Sequence, residues 1–205
     1  MWRRVSIILV ILQLYGRQAI AHEPVEGKIH AAVGPYLMHA LPYHHEFASP
    51  FNGGIGILAE GDIDNHGGIE IGMFYFPQYF SITRDNSEFT ERAHRVYITM
   101  GYRHWFSERF SAALAFFSSY AIGEAEQIHN DFGGSPPFTS AHDMTEYGFD
   151  ASVQYEFWHV ERFSLLVDAR YSYSLTPKSG EDQNFIAVLA ALKYFVQGQQ
   201  GHEEH

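Results

Sequence analysis

The chain has 205 residues, with 13 Lys and Arg against 24 Asp and Glu, and a formal net charge of −11. That balance excludes a nucleic-acid binder, because there is no basic patch to displace counterions from a phosphate backbone. Cysteine is absent, so no disulfide framework is available, and the length suits a single domain.

The N-terminus reads as a targeting segment. Trp2-Arg3-Arg4 gives a positive start, Val5 to Leu14 an apolar run, and Ala19-Ile20-Ala21 a small-residue cleavage site. Residues 1–21 are therefore expected to be a secretory signal peptide, cut between Ala21 and His22, with an apolar run too short to span a bilayer as a helix. Cleavage removes three arginines and no acid, leaving a net charge of −14. Residues 22–27 form a short lead. No later stretch approaches eighteen apolar residues, so no transmembrane helix is expected.

From residue 28 the pattern changes to a period of two. Candidate strands cover 28–38, 53–63, 68–80, 94–106, 109–121, 145–158, 162–174 and 184–196. In the second, Ile55, Ile57, Ala59 and Ile63 alternate with Gly56, Leu58, Glu60 and Asp62. The turn Asp64-Asn65-His66-Gly67 suits positive φ and leads to Ile69, Ile71, Met73 and Tyr75 on the outer face of the third. In the fourth and fifth, Val96, Ile98, Met100 and Tyr102 alternate with Arg95, Tyr97, Thr99, Gly101 and Arg103 before a tight turn at Ser107-Glu108. Arms of roughly ten residues with one greasy and one polar face are how a barrel strand crosses a bilayer at a tilt.

The connections alternate in length. They run long (39–52), short (64–67), long (81–93), short (107–108), long (122–144), short (159–161), long (175–183). All long loops then lie at one end and all tight turns at the other, the layout of bacterial barrels with extracellular loops and periplasmic turns. Aromatics are expected to form interfacial girdles. Trp105, Phe106, Phe110, Phe157, Trp158, Phe163, Tyr194 and Phe195 sit near the short turns, and Tyr75, Tyr79, Tyr120, Tyr147, Tyr171, Tyr173 and Phe185 near the long loops. Pro77 removes a ladder hydrogen bond and belongs near a rim.

With its signal peptide, eight strands and aromatic-rich closing strand (Phe185 to Val196), the chain resembles the OmpA- and OmpX-like superfamily of small eight-stranded outer-membrane β-barrels. The resemblance implies an all-β, antiparallel, up-and-down transmembrane barrel over residues 28–196. It implies residence in the outer membrane of a Gram-negative bacterium, contact with outer-membrane lipid and lipopolysaccharide, and insertion by the barrel-assembly machinery. The chain departs from the family at its end, where Tyr194-Phe195 is followed by the polar tail 197–205.

The inward face carries Glu60, Asp62, Glu70, Glu146, Asp150, Glu156 and Asp168 against Arg95, Arg103 and Arg170, with Lys28 and His30 beside them. Eight strands enclose a space that side chains fill, and an unpaired charge there is costly, so these residues are expected to form a lumen charge network rather than a pore lining. Enzymes on this architecture, such as the lipid A deacylases, place a His-x-Ser-Asn arrangement on a late strand. The comparable stretch here, Arg170-Tyr171-Ser172-Tyr173-Ser174-Leu175, has neither the histidine nor the asparagine. His104, Ser107 and Glu108 lie at a tight turn away from outer-leaflet substrate. No catalytic activity and no cofactor are expected.

The candidates for a metal site are His39, His44 and His45 in the first long loop and His129 and His142 in the third. Their spacing matches no zinc signature, and adjacent residues on an extended chain point opposite ways. The plain reading is polar loop residues. The stretch 123–143, with Asp131, Gly133-Gly134 and Pro136-Pro137, is the expected contact for a surface ligand. Two other classes stay open: a narrow transport barrel of OmpW type, and a soluble lipocalin-type carrier. The latter requires the opposite facing and a Gly-x-Trp opening where this chain has Gly34-Pro35-Tyr36.

Overall fold

The computed structural model describes residues 26–41, 47–48, 50–133, 137, 139, 141, 145–176 and 184–196. The expected signal peptide with Ala21 and His22, the residues up to 25, His44, His45, His142 and the tail 197–205 lie outside them.

Nine strands follow one another: β1 (Ile29–Ala40), β2 (Phe47–Ala48), β3 (Asn52–Asp62), β4 (Gly67–Arg84), β5 (Ser87–Trp105), β6 (Phe110–Asn130), β7 (Thr145–Val160), β8 (Phe163–Ser174) and β9 (Phe185–Val196). β2 is a two-residue rung against the outer part of β4. The other eight form one closed, all-antiparallel, up-and-down barrel, completed by the β4–β5 and β1–β9 pairings. Closure leaves no exposed sheet edge in the wall, a condition of crossing a bilayer with strands.

Sidedness follows the alternation in the sequence. On β3, Leu58 and Glu60 are buried while Ile55 and Ile57 are exposed, and Met100 on β5 is 59% exposed while Thr99 and Arg103 are enclosed. A wall with isoleucine, leucine, phenylalanine and methionine outside and charge inside is stable only when the outside is hydrocarbon.

Two expected loops are instead strand. Residues 81–93, read as a long loop, continue the β4–β5 hairpin to a two-residue turn at Asp85-Asn86. Both residues have positive φ, 47° and 64°, as a type I′ turn requires and as Asp and Asn tolerate. The polar composition hid a period of two in which Ile82 pairs with Phe89 and Ser81 with Thr90. Likewise β6 does not end near 121 but runs to Asn130, shortening the third loop. The result is a sheet of the β4, β5 and β6 arms, with the short β2 on its β4 edge, raised above the barrel wall.

Pro77 sits where this excursion begins. Tyr75 is the last residue of β4 paired with β3, and the Tyr79 N–H points to that side, donating to Asn52 Oδ1 at 3.3 Å. Two residues back along an extended strand, the missing Pro77 N–H faces the same way and removes no rung from the β4–β5 ladder.

The barrel interior has an aromatic layer toward the long-loop end. Tyr97 packs against Phe74, Phe117 and Phe185 with ring centroids 4.8–5.8 Å apart, and Tyr36 against Phe74 at 4.5 Å. Three aromatics expected in the girdles therefore need correction. Phe185 and Trp105 are buried in the lumen, and Phe195 is half-buried on the inward side of β9 against His30. Each shares the parity of its strand's inward residues, and that outweighs its closeness to a rim.

Candidate functional site: lumen network and raised sheet

Below the aromatic layer the inward side chains of β3, β4, β5, β7, β8 and β9 meet in one ionic network. Arg103 is its hub. Its Nε donates to Glu70 at 2.7 Å, its Nη2 to Glu70 and, at 2.9 Å, to Asp168, while Nη1 reaches Ser111 and Nη2 Ser152. Arg170 donates to Glu70 at 2.8 Å and to Asp150 at 3.0 Å. Lys193 donates to Glu60 at 2.6 Å and to Glu156 at 2.9 Å, and Glu60 lies 3.5 Å from the Arg103 Nε. Charge-assisted, multiply shared contacts of this kind satisfy enclosed ions that would otherwise be strongly destabilising.

The network and the aromatic layer are joined. The Tyr97 hydroxyl and Ser172 Oγ both donate to Asp150, at 2.9 and 2.7 Å. The Arg170 guanidinium lies 4.9 Å from the Phe74 ring, and the Lys193 ammonium 4.7 Å from Trp105. The lumen is thus filled at both levels by side chains.

Of the charges singled out in the sequence, Glu60, Glu70, Arg103, Asp150, Glu156, Asp168 and Arg170 come together. Asp62 stands beside them with His30 at 3.4 Å. Arg95 and Glu146 do not join: they pair at 3.7 Å on the far side of the aromatic layer, with Arg95 over the Phe80 ring. Lys193 was missed. It is a lone lysine in the run Phe185 to Val196, but its parity with Leu189 and Ala191 places it inward.

Of the candidate histidines only His39 and His129 are among the described residues, and these two do not converge. His39 stacks on Phe51 at 4.7 Å, and His129 lies 3.7 Å from Asp131 at the tip of β6. No group of three metal-ligating side chains comes together among the described residues. His104 points to the outer wall, and Ser107 Oγ accepts the Phe110 N–H within the turn. A nucleophile needs its base within hydrogen-bond reach, and these two side chains occupy separate tasks.

The raised sheet is the second candidate surface. Its inner face packs Phe80 and Ala93 against Ala141, with Ala125 alongside, and Thr139 Oγ1 donates to Glu91. On the outer face Tyr75 OH contacts His94 Nδ1 at 2.8 Å and Arg92 pairs with Glu126. Hydrogen bonds from Arg92 to the Glu126 carboxylate and to Tyr79 hold its guanidinium above the ordinary pKa. β7 pairs with β6 only as far as Tyr120, so among the described residues 121–130 are laddered to β5 alone.

No family model matches the chain, and no curated protein matches it by sequence. Solved structures match it by fold. The outer membrane protein OprG from Pseudomonas aeruginosa superposes with a TM-score of 0.65 at 7% identity, covering 87% of this chain and 99% of that one. Ail, the attachment invasion locus protein of Yersinia pestis, solved in complex with the heparin analogue sucrose octasulfate, gives 0.52 at 12% identity over 83% and 99%. The fold is that of small Gram-negative outer-membrane barrels. The apolar exterior and filled polar interior suit a barrel wall that faces the hydrocarbon of a bilayer.

Proposed function

We propose that this chain is a non-enzymatic outer-membrane barrel that acts by presentation: a plugged cylinder holds the raised β4–β5–β6 sheet out in the medium, and the edge of β6 beyond Tyr120, which pairs with no second strand among the described residues, takes up an extended segment of a partner. The observation that carries this reading is the edge itself. Residues 121–130 continue as strand past their last β7 partner, with irregularities in the β5 ladder near Gly123 and Ile128, and Ile122 and Ile128 stand exposed on it. An unpaired strand edge with exposed aliphatic residues is a template for β-augmentation.

The edge also carries Glu124 and Glu126. Two copies pairing edge to edge would bring these acids together, which favours a neutral or cationic extended segment instead. Extended peptides selected from a random library against the detergent-solubilised barrel are expected to lose about tenfold in affinity on Ile128→Lys, because an edge lysine opposes strand addition. Peptides that bind parent and variant alike would remove the edge from the account.

The filled lumen argues against the transport reading. In planar bilayers the purified barrel is expected to give a flat trace, since an aromatic layer and an ionic network of buried side chains occupy the lumen at two levels. Steady unitary conductance would favour a transport barrel over a presenting one.

A further inference from the structure

The lipid-facing wall is not smooth. One row of cross-strand partners runs at right angles to the strands from β5 to β1: His104, Ala112, Val153, Ala169, Val188 and Leu37. The neighbouring row contains Leu114, Ala151 and Tyr171 in register. Where alanine takes the place of a larger residue the wall is low, and Leu114 and Tyr171 stand as banks. The result is a trough of about 870 Å³, with Phe106 at its short-turn end and Phe51 at the other.

Five strand spacings of ~4.8 Å give a path of about 24 Å, which at right angles to strands tilted by about 40° rises roughly 15 Å, the depth of one leaflet rather than of the whole apolar band. An apolar trough of that reach, open to hydrocarbon, suits a single alkyl chain. Its short-turn end carries polar groups. His104 stacks with His66 at 6.3 Å and meets Phe106 edge-on at 4.8 Å. An imidazole keeps at least one N–H donor in either protonation state, so this pair presents donors at the level of the periplasmic headgroups. Arg109 adds a positive charge in the adjacent turn, and Asp64 and Glu108 are the nearby acids in sequence.

We infer that the trough holds one acyl chain of a periplasmic-leaflet phospholipid, with His104 and His66 donating to its phosphate. The inference rests on membrane residence and is independent of what the β6 edge binds.

The test is native mass spectrometry of the full barrel extracted from membranes in a mild detergent. The parent is expected to retain one phospholipid. The double variant Ala151→Leu, Ala169→Leu fills the trough, displacing at least two methylenes' worth of contact, and is expected to retain about tenfold less. Retention of lipid by the His104→Ala variant, with loss of the preference for added phosphatidylglycerol over diacylglycerol, which lacks the phosphate, supports the phosphate contact. Equal retention by parent and double variant, or lipopolysaccharide in place of phospholipid, overturns the inference. Heat-modifiable migration on a gel confirms that each variant is folded. A parent that stays dissolved without detergent would instead overturn membrane residence itself.

Discussion

Replacing Arg103 with methionine is expected to destabilise the barrel by about 3–5 kcal/mol, the range for removing one member of a buried ionic cluster. The guanidinium touches Glu70, Asp168 and Glu60, and also holds Ser111 and Ser152. Methionine fills much of the volume but supplies no charge and no donor. Two carboxylates then lose a main partner in a space closed off by strands. The loss is read as a lower midpoint in urea unfolding of the lipid-reconstituted barrel. A triple variant separates charge from shape. Adding Glu70→Gln and Asp168→Asn to Arg103→Met removes the two acids that lose it, and part of the loss should return; the rest stays, because Arg170 also pairs with both acids and keeps only Asp150. Equal instability of the single and triple variants would mean that Arg103 acts by packing alone.

Gly101→Val is the second large effect, expected at about 3 kcal/mol, the upper end for overpacking. Gly101 points inward on β5 between Glu70 of β4 and Ala115 of β6. A Cβ at this position would meet the Leu114 carbonyl oxygen and the Ala115 Cα, both backbone atoms of the next strand, and would lie 2.6 Å from the Ala115 Cβ. Backbone in a closed cylinder cannot step aside without shifting the ladder. Gly61 is the control: an added Cβ there meets nothing within 4 Å, so Gly61→Ala should leave the urea midpoint unchanged. A Gly101→Val barrel as stable as the parent would mean that the wall yields more readily than this packing implies.

How far the sequence could be read depended on what lay outside each strand. Where the outer face meets hydrocarbon, the period of two is enforced, and β3, β7 and β8 were legible almost to their ends. Above the membrane that constraint disappears. The arms of the raised sheet place Ser81, Thr90 and Glu91 beside Ile82 and Phe89, so residues 81–93 passed for a loop, although the Asp85-Asn86 dipeptide carried the turn.

Inside the barrel, parity decided correctly wherever it was followed. Glu70, Arg103, Asp168 and Arg170 could be placed on the inner face from alternation alone. Trp105 and Phe185 were misplaced because nearness to a rim was allowed to override parity. Lys193 was overlooked because one lysine in an apolar strand looks like an exception to it. Which acid meets which base was beyond alternation, because the partners are set by strand stagger around the cylinder.

The seam between β1 and β9 has its own consequence. Ile29 lies opposite Val196, and Lys193 reaches Glu60 across 133 positions of sequence. The ring cannot be sealed until its final dozen residues exist, so every shorter product of synthesis has two raw borders and an ammonium-seeking carboxylate. Such long-range pairing is intrinsically slow, and unsealed borders invite association with other chains. Deleting β9 would therefore leave an adhesive ribbon rather than a smaller barrel, and a chain travelling to its membrane needs an escort until that last strand docks.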